Sequence, residues 1–272
     1  MNFVFFGTPY VARDTLAALV EAGHKPSLVV TNPDAPRGRK HEIVPCETKV
    51  WAEEHNIPVF SPEKLDDDAL KTIRGYSCDH AVVVAYGKIL PEDLIKSFPK
   101  GIINVHYSLL PRYRGASPVE AALLNGDEKT GVTIQEVVKE LDAGDIIAVE
   151  ETDIKPQETT IELRARLIDL GAKLLIDTLP YFEAGNTTPT PQDDSAATYA
   201  PKIKKEEGEI SLNAPAQENW NKYRAYKEWP GVFFFKDDKR VKVTDASLEG
   251  DTFTIKRVIP EGKKEMDYSD LK

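Results

Sequence analysis

The chain is poor in sulfur, with two cysteines (Cys46 and Cys78) and two methionines in 272 residues. Two cysteines cannot build a disulfide framework, and neither has a second cysteine at ligand spacing, so neither a disulfide scaffold nor a metal site is expected. The pair fits thiols in a reducing compartment, and a cytoplasmic location is the expectation. Long apolar runs are also missing: the longest, around Ala81–Tyr86, is far below the roughly 20 residues of a membrane span. The opening Met1-Asn2-Phe3-Val4 has no basic region ahead of an apolar one, so no signal peptide is expected. Asn2 is not the glycine that myristoylation needs. Glycine-rich nucleotide fingerprints are absent as well. The first apolar run ends in Gly7-Thr8-Pro9-Tyr10 without a G-x-G-x-x-G, and no G-x-x-x-x-G-K occurs anywhere, so no dinucleotide cofactor is expected. Nor is there an excess of positive charge. Against 45 acidic residues stand 35 Lys and Arg, a net of −10, which argues against nucleic-acid binding by the surface as a whole.

What is present divides unevenly. From residue 201 onward 15 basic residues face 14 acidic ones, so the first 200 residues carry a net of −11. Between them, residues 185–200 (GNTTPTPQDDSAATYA) are dense in Pro, Thr, Asp and Ala without apolar periodicity and read as a linker. The expected organisation is a domain over 1–184, a linker over 185–200 and a second domain over 201–272.

In the first domain, apolar runs at Asn2–Phe6, Ser27–Thr31, His80–Tyr86 and Gly101–His106 alternate with helical patterns. The continuous valines of HAVVVAY suit a parallel strand buried on both faces. Thr159-Thr160-Ile161-Glu162 reads as a capping box opening a helix. The alternation predicts an open, mostly parallel, Rossmann-like α/β sheet. The last 70 residues read as a helix, capped by Asn213, followed by a small antiparallel β unit.

The chemistry-bearing stretch is GIINVHYSLLPRYRG, Gly101–Gly115. Asn104 and His106 lie two apart at the end of a predicted strand, so an amide and an imidazole project from one face. The carboxyl end of such a strand is where open α/β sheets bind ligands. Arg112 and Arg114 follow on a loop that would meet an anionic or polar ligand. Leu141-Asp142-Ala143-Gly144-Asp145 reads as a tight turn between two strands, from which Asp142 would return a carboxylate to His106. On spacing alone, a structural histidine and a turn-forming aspartate account for the same residues.

Those motifs, in that order and with Gly131-Val132-Thr133 between them, resemble the folate-dependent formyltransferase family. The similarity extends to its methionyl-tRNA branch through Phe6-Gly7-Thr8-Pro9, Val83–Pro91, Thr198–Lys202, Trp229-Pro230-Gly231 and Pro260–Lys264. The resemblance implies 10-formyltetrahydrofolate as donor and the amino group of initiator methionyl-tRNA as acceptor; amine attack on a formyl carbon needs no metal, and a monomer is the expectation. It implies catalytic roles for Asn104, His106 and Asp142. It places folate contacts at Ala85, Tyr86, Gly87, Ile89 and Leu90, chiefly through backbone, and at Ser108, Leu109, Leu110 and Pro111. Contacts to tRNA fall to Arg37, Arg39 and Lys40 on a turn-rich loop, and to Arg240 and Lys242 in an OB-like C-terminal β-barrel. The chain departs from the family at Tyr107, where small residues are common, at Ile134–Val137, which lacks the usual methionines, and in a shorter C-terminal domain. A nucleotide-sugar N-formyltransferase sharing the catalytic core, or an idle folate- or tRNA-binding module, are the competing readings.

Overall fold

The computed structural model describes residues 2–37 and 42–271, with the backbone alone for Arg37. Its first strands and helices are β1 (Phe3–Gly7), α1 (Tyr10–Glu21), β2 (Leu28–Val30), a hairpin of β3 (Ala35–Arg37) and β4 (Glu42–Val44), α2 (Glu47–Glu54) and β5 (Val59–Phe60). Then come α3 (Asp67–Arg74), β6 (His80–Val84), α4 (Glu92–Ile95), β7 (Ile102–His106), α5 (Pro118–Leu124), β8 (Lys129–Glu136), β9 (Ile146–Asp153) and α6 (Thr160–Glu183). The chain ends with α7 (Ala216–Ala225), β10 (Val232–Lys236), β11 (Lys239–Glu249), β12 (Thr252–Pro260) and β13 (Met266–Asp267).

Seven strands form one sheet in the order β5-β2-β1-β6-β7-β8-β9. The five from β5 to β7 are parallel, and β8 turns back antiparallel to β7. All five residues of β1 are buried, and β6 is buried nearly throughout, as its run of valines predicts. Around them Leu70 and Ile73 of α3, Leu94 of α4, Tyr86, Leu90 and Phe98 complete one apolar core. Because β1, β2, β6 and β7 are parallel, the loops that leave their carboxyl ends gather at one edge. No helix among the described residues is long and apolar enough to cross a membrane.

The chain forms two compact units that interleave along the sequence. One holds Met1–Arg114, Gly131–Glu151 and Leu167–Thr198; the other holds Gly115–Thr130, Thr152–Arg166 and Tyr199–Lys272. Residues 115–130 and 152–166, which the sequence places in the first domain, thus group with the C-terminal stretch. The reason is polar stitching: Arg164 bridges Glu120 and Glu228. The Thr160 hydroxyl donates to the Ala225 carbonyl (2.6 Å), and Asn221 Nδ2 to that of Leu124 (3.3 Å). The stretch expected as a linker runs along the first unit instead, where Thr190 and Ile146 exchange both backbone bonds at 2.8 Å. At the start of α6 the capping box is half present: Glu162 accepts from the Thr159 backbone N–H (2.8 Å), and the Thr159 hydroxyl donates to the same carboxylate. In the second unit β10–β13 make an antiparallel sheet in chain order, with α7 against β11 and β12. That helix starts behind Pro215, so Asn213 is not its cap, and proline's fixed φ supplies the entry geometry instead.

A histidine sits in the first unit's core without a polar partner among the described residues. His80, at the start of β6, is fully buried, stacked on Phe3 (ring centroids 5.5 Å) and edge-on to Phe182 (5.9 Å). Neither ring nitrogen has a hydrogen-bond partner among the described residues. Burial lowers its pKa, more than the nearby Glu183 raises it, and Lys100 adds to the lowering. Below about pH 6.5 the unfolded chain therefore binds a proton that the folded chain does not, and stability falls as the pH falls. His80→Leu is expected to stabilise the protein by about 1–2 kcal/mol at neutral pH and to flatten that acid-side loss. Urea unfolding at pH 5 and pH 7.5 checks this. A variant less stable than wild type at both values would show that the imidazole contributes a contact the geometry does not contain.

Candidate active site

The site is built at the carboxyl end of β7. Asn104 and His106 share a face of the strand, and their direct partners across the antiparallel pairing with β8 are Gln135 and Thr133. Opposed residues in such a pair point the same way. Four polar side chains therefore stand together where the parallel part of the sheet ends. Asn104 is half-buried, and His106 is only 5% exposed.

The His106 ring is oriented by backbone. Its Nε2 lies 2.9 Å from the Tyr113 carbonyl oxygen. A carbonyl only accepts, so Nε2 carries the hydrogen and Nδ1 is the other face of the ring. Nδ1 looks at Asp142 Oδ2, 3.7 Å away, within ion-pair distance but too long for a hydrogen bond. Burial pulls the ring's pKa below its ordinary value, outweighing the upward pull of Asp142 and of the Tyr113 carbonyl. The resting ring is therefore neutral near pH 7, with a carboxylate beside the one nitrogen able to take a proton.

Residues 107–114 form a stitched loop. The Thr133 hydroxyl donates to the Ser108 carbonyl (2.7 Å) and accepts from the Leu110 N–H (3.2 Å), while the Ser108 hydroxyl donates to the Arg112 carbonyl (2.6 Å). On the far side Thr198 takes the Tyr113 N–H on its hydroxyl (2.9 Å) and the Arg114 N–H on its carbonyl (2.8 Å). Ser108 and Leu110 are buried, and Leu109 and Pro111 half-buried. The two arginines do not both reach outward. Arg112 is exposed and donates to the Tyr113 hydroxyl (2.7 Å). Arg114, 4% exposed, turns inward to Gln192 and to Asp194 (2.7 Å), because a guanidinium this buried needs acceptors around it.

Asp142 sits on the tight turn expected from its sequence, with φ +50°. Its Oδ1 accepts from Gln135 Nε2 at 3.0 Å. The turn closes on β8 through Gly144, where an added Cβ would fall 1.8 Å from the Glu136 carbonyl oxygen. Gln192 then holds the turn from outside, its Nε2 lying 2.9 Å from the Asp142 carbonyl and 2.7 Å from that of Gly144. Sequence reasoning missed Gln135 and Gln192. Pairing of the strand after Thr133 with the one carrying Asn-x-His would have found the first; nothing in the sequence signals the second.

At the end of β6, residues 85–90 alternate outward and inward. Ala85 (φ +47°), Gly87 (φ +80°) and Ile89 are exposed, Ile89 at 83%, while the Tyr86 and Leu90 side chains enter the core. The Tyr86 carbonyl accepts from Asn32 Nδ2 (2.7 Å), and Lys88 Nζ ties the loop to the carbonyls of Pro62 and Glu63 (both 2.9 Å). This leaves backbone groups and one large apolar side chain displayed at the sheet edge. Of the basic residues expected to meet tRNA, Arg37 ends β3, and Arg39 and Lys40 lie outside the described residues. In the second unit Arg240 and Lys242 share a face of β11, opposite Phe235 and Phe233 of β10. The Arg240 guanidinium lies 3.7 Å from the Phe233 ring centre, and Lys242 and Phe235 are exposed.

The chain matches the family described as formyl transferase over residues 1–179, and the formyl transferase C-terminal domain over 202–254. A methionyl-tRNA formyltransferase of Sulfurihydrogenibium sp. is 46% identical over 250 residues, covering 91% of this chain and 80% of that protein. One from Heliobacterium modesticaldum is 41% identical over 248 residues, covering 91% and 78%. Among solved structures, methionyl-tRNA formyltransferase from Clostridium thermocellum superposes with a TM-score of 0.65 at 17% identity, over 96% of this chain and 98% of that one, a likeness of fold. With relatives this similar over nearly its whole length, the chain belongs to the methionyl-tRNA formyltransferase family.

Proposed function

We propose that the protein transfers a formyl group from 10-formyltetrahydrofolate to the amino group of methionyl-tRNA. The observation that carries this reading is the convergence of Asn104, His106 and Asp142 in a chain 46% identical to a methionyl-tRNA formyltransferase. The loop at 85–90 suits a folate: it displays backbone groups for the polar edge of a pterin and Ile89 for its flat face. Leu109 and Pro111 supply further wall. In the reaction the amine nitrogen bonds to the formyl carbon, the bond from that carbon to the donor nitrogen breaks, and one proton passes from amine to donor nitrogen. Asn104 donates to the oxygen on which charge develops, a contact of the kind whose removal costs about 3–4 kcal/mol. His106 takes the amine proton on Nδ1 while Nε2 stays on the Tyr113 carbonyl, and Asp142 stabilises the imidazolium for that moment. His106 then returns the proton to the departing nitrogen.

The acceptor is tRNA on this reading because of the chain's relatives and of its local basic surfaces. Arg240 and Lys242 carry charge on a strand face beside aromatic rings, a combination suited to phosphate and base contacts. Arg37, Arg39 and Lys40 add charge in an otherwise acidic half. The enzyme acts as a cytoplasmic monomer. The test is turnover with 10-formyltetrahydrofolate and two acceptors, methionyl-tRNA and a nucleotide-linked amino sugar. Formyl transfer to methionyl-tRNA with kcat/KM at least about 10³-fold above the amino sugar is expected, since a tRNA offers many phosphate contacts that a sugar lacks. Preference for the sugar, or no transfer to either, would sink the assignment.

A further inference from the structure

Gln192 lies in a Pro/Thr-rich stretch that looks like a spacer, yet it sits in the middle of a directed chain of hydrogen bonds. The guanidinium of Arg114 donates from Nε (3.1 Å) and Nη2 (2.8 Å) to Gln192 Oε1. The two N–H groups of Gln192 Nε2 are shared among Gln135 Oε1 (3.1 Å) and the Asp142 and Gly144 carbonyls. Gln135 Nε2 donates to Asp142 Oδ1 (3.0 Å). Arginine has donors and no acceptor. Its buried guanidinium therefore requires the oxygen of Gln192 to face it, which turns the Gln192 amide nitrogen toward Gln135. That in turn requires the Gln135 oxygen to face Gln192 and its nitrogen to face Asp142. The orientation of each amide is dictated by the one before it, back to a group that cannot reverse.

We propose that Gln192 is a positioning residue for Asp142: it holds the 142–145 turn by two carbonyls and, relaying the polarity set by Arg114, keeps an N–H of Gln135 on the Asp142 carboxylate. The consequence lies in where a proton rests. The Gln135 N–H meets part of the negative charge on one oxygen of the carboxylate, and the other oxygen faces His106 Nδ1. Two other carboxylates, Asp145 of the turn and Glu136 of β8, lie on the elements around the pair, and Arg114 with Asp194 closes the far end. Reversal of the relay would present an oxygen to Asp142 and make the His106–Asp142 pair hold a proton more tightly. This role rests on the reading of His106 and Asp142 as the reacting pair, so its test includes a measurement that needs no substrate.

Gln192→Glu replaces the donating nitrogen by oxygen at nearly constant size and obliges Gln135 to turn round. NMR titration of the His106 ring is expected to show the midpoint of proton uptake by the pair moving up by about one pH unit, with the acid limb of the kcat profile following and KM for folate unchanged. Gln192→Ala frees Gln135 to adopt either orientation and should shift the midpoint the same way by less. It serves as the readout if the glutamate variant does not fold. Asp194→Asn keeps a side-chain oxygen as acceptor for the Arg114 guanidinium and leaves Gln192 and Gln135 as they are, so it should leave both profiles at wild type. An unchanged His106 titration in a folded Gln192 variant overturns the proposal. So does a shifted titration with an unmoved kcat profile in an active enzyme. A wild type inactive toward methionyl-tRNA would sink the functional assignment while leaving the titration to be read by itself.

Discussion

Replacing His106 by alanine is expected to lower kcat for formyl transfer by at least about 10²-fold, and by up to about 10⁴-fold, with folate binding retained. The ring is held for proton transfer: its Nε2 is committed to the Tyr113 carbonyl and its Nδ1 faces Asp142. Alanine removes both the proton carrier and the partner of that carboxylate. Asn104→Ala should cost on the order of 10²–10³-fold, the range of a single oxyanion donor. It should act on kcat rather than on KM, since the charge it meets exists only in the transition state. Single-turnover formylation at saturating folate and methionyl-tRNA, with folate affinity measured in parallel, separates these effects. Near wild-type kcat in either variant would remove that residue from the mechanism.

An equally large effect is expected from one methyl group. Gly144→Ala would place a Cβ 1.8 Å from the Glu136 carbonyl oxygen, where backbone meets backbone and no side chain can swing aside. The turn must lift from β8, and Asp142, two residues earlier, must leave His106. Misplacement of a catalytic group by about 1 Å can cost on the order of 10²-fold in rate. The lost contacts should also destabilise the protein by about 2–4 kcal/mol. Gly185→Ala is the matched control. Gly185 has φ +68°, but a Cβ added there would meet nothing within 4 Å, so only local strain of about 1 kcal/mol is expected and no change in rate. Kinetics and urea unfolding of the two variants decide the point; a Gly144→Ala enzyme with normal kcat would mean the turn is not what places Asp142.

The parts of the fold that repeat were legible. The valines of β6 and the period-two placement of Asn104 and His106 follow from strand geometry alone, and both lie as the pattern predicts. The tight turn at Asp142 was readable from its Asp and Gly content, whereas its approach to His106 needed either a structure or a family resemblance, because it depends on the pairing of β7 with β8. Arg114 misled, since a cation on a loop near a sheet edge looks the same in sequence whether it faces a ligand or a buried amide. Gln192 was invisible for a different reason. Its bonds go to backbone carbonyls and to other amides, and such contacts impose no periodicity, charge or composition on the residues around it.

The fastening of residues 190–198 has a consequence for how this protein can vary in length. Thr190 is paired to Ile146 at one end, Thr198 grips the loop after His106 at the other, and Gln192 holds the Asp142 turn between them. The segment is thus measured against fixed posts, like a tape, and its residue count matters more than most of its letters. An exposed position such as Pro191 can change identity without disturbing any post. One added or deleted residue between Gln192 and Thr198 cannot be absorbed there. It would force a choice between holding the Asp142 turn and holding the loop that orients His106. In a stretch that looks by composition like the most permissive part of the chain, insertions should be among the least tolerated.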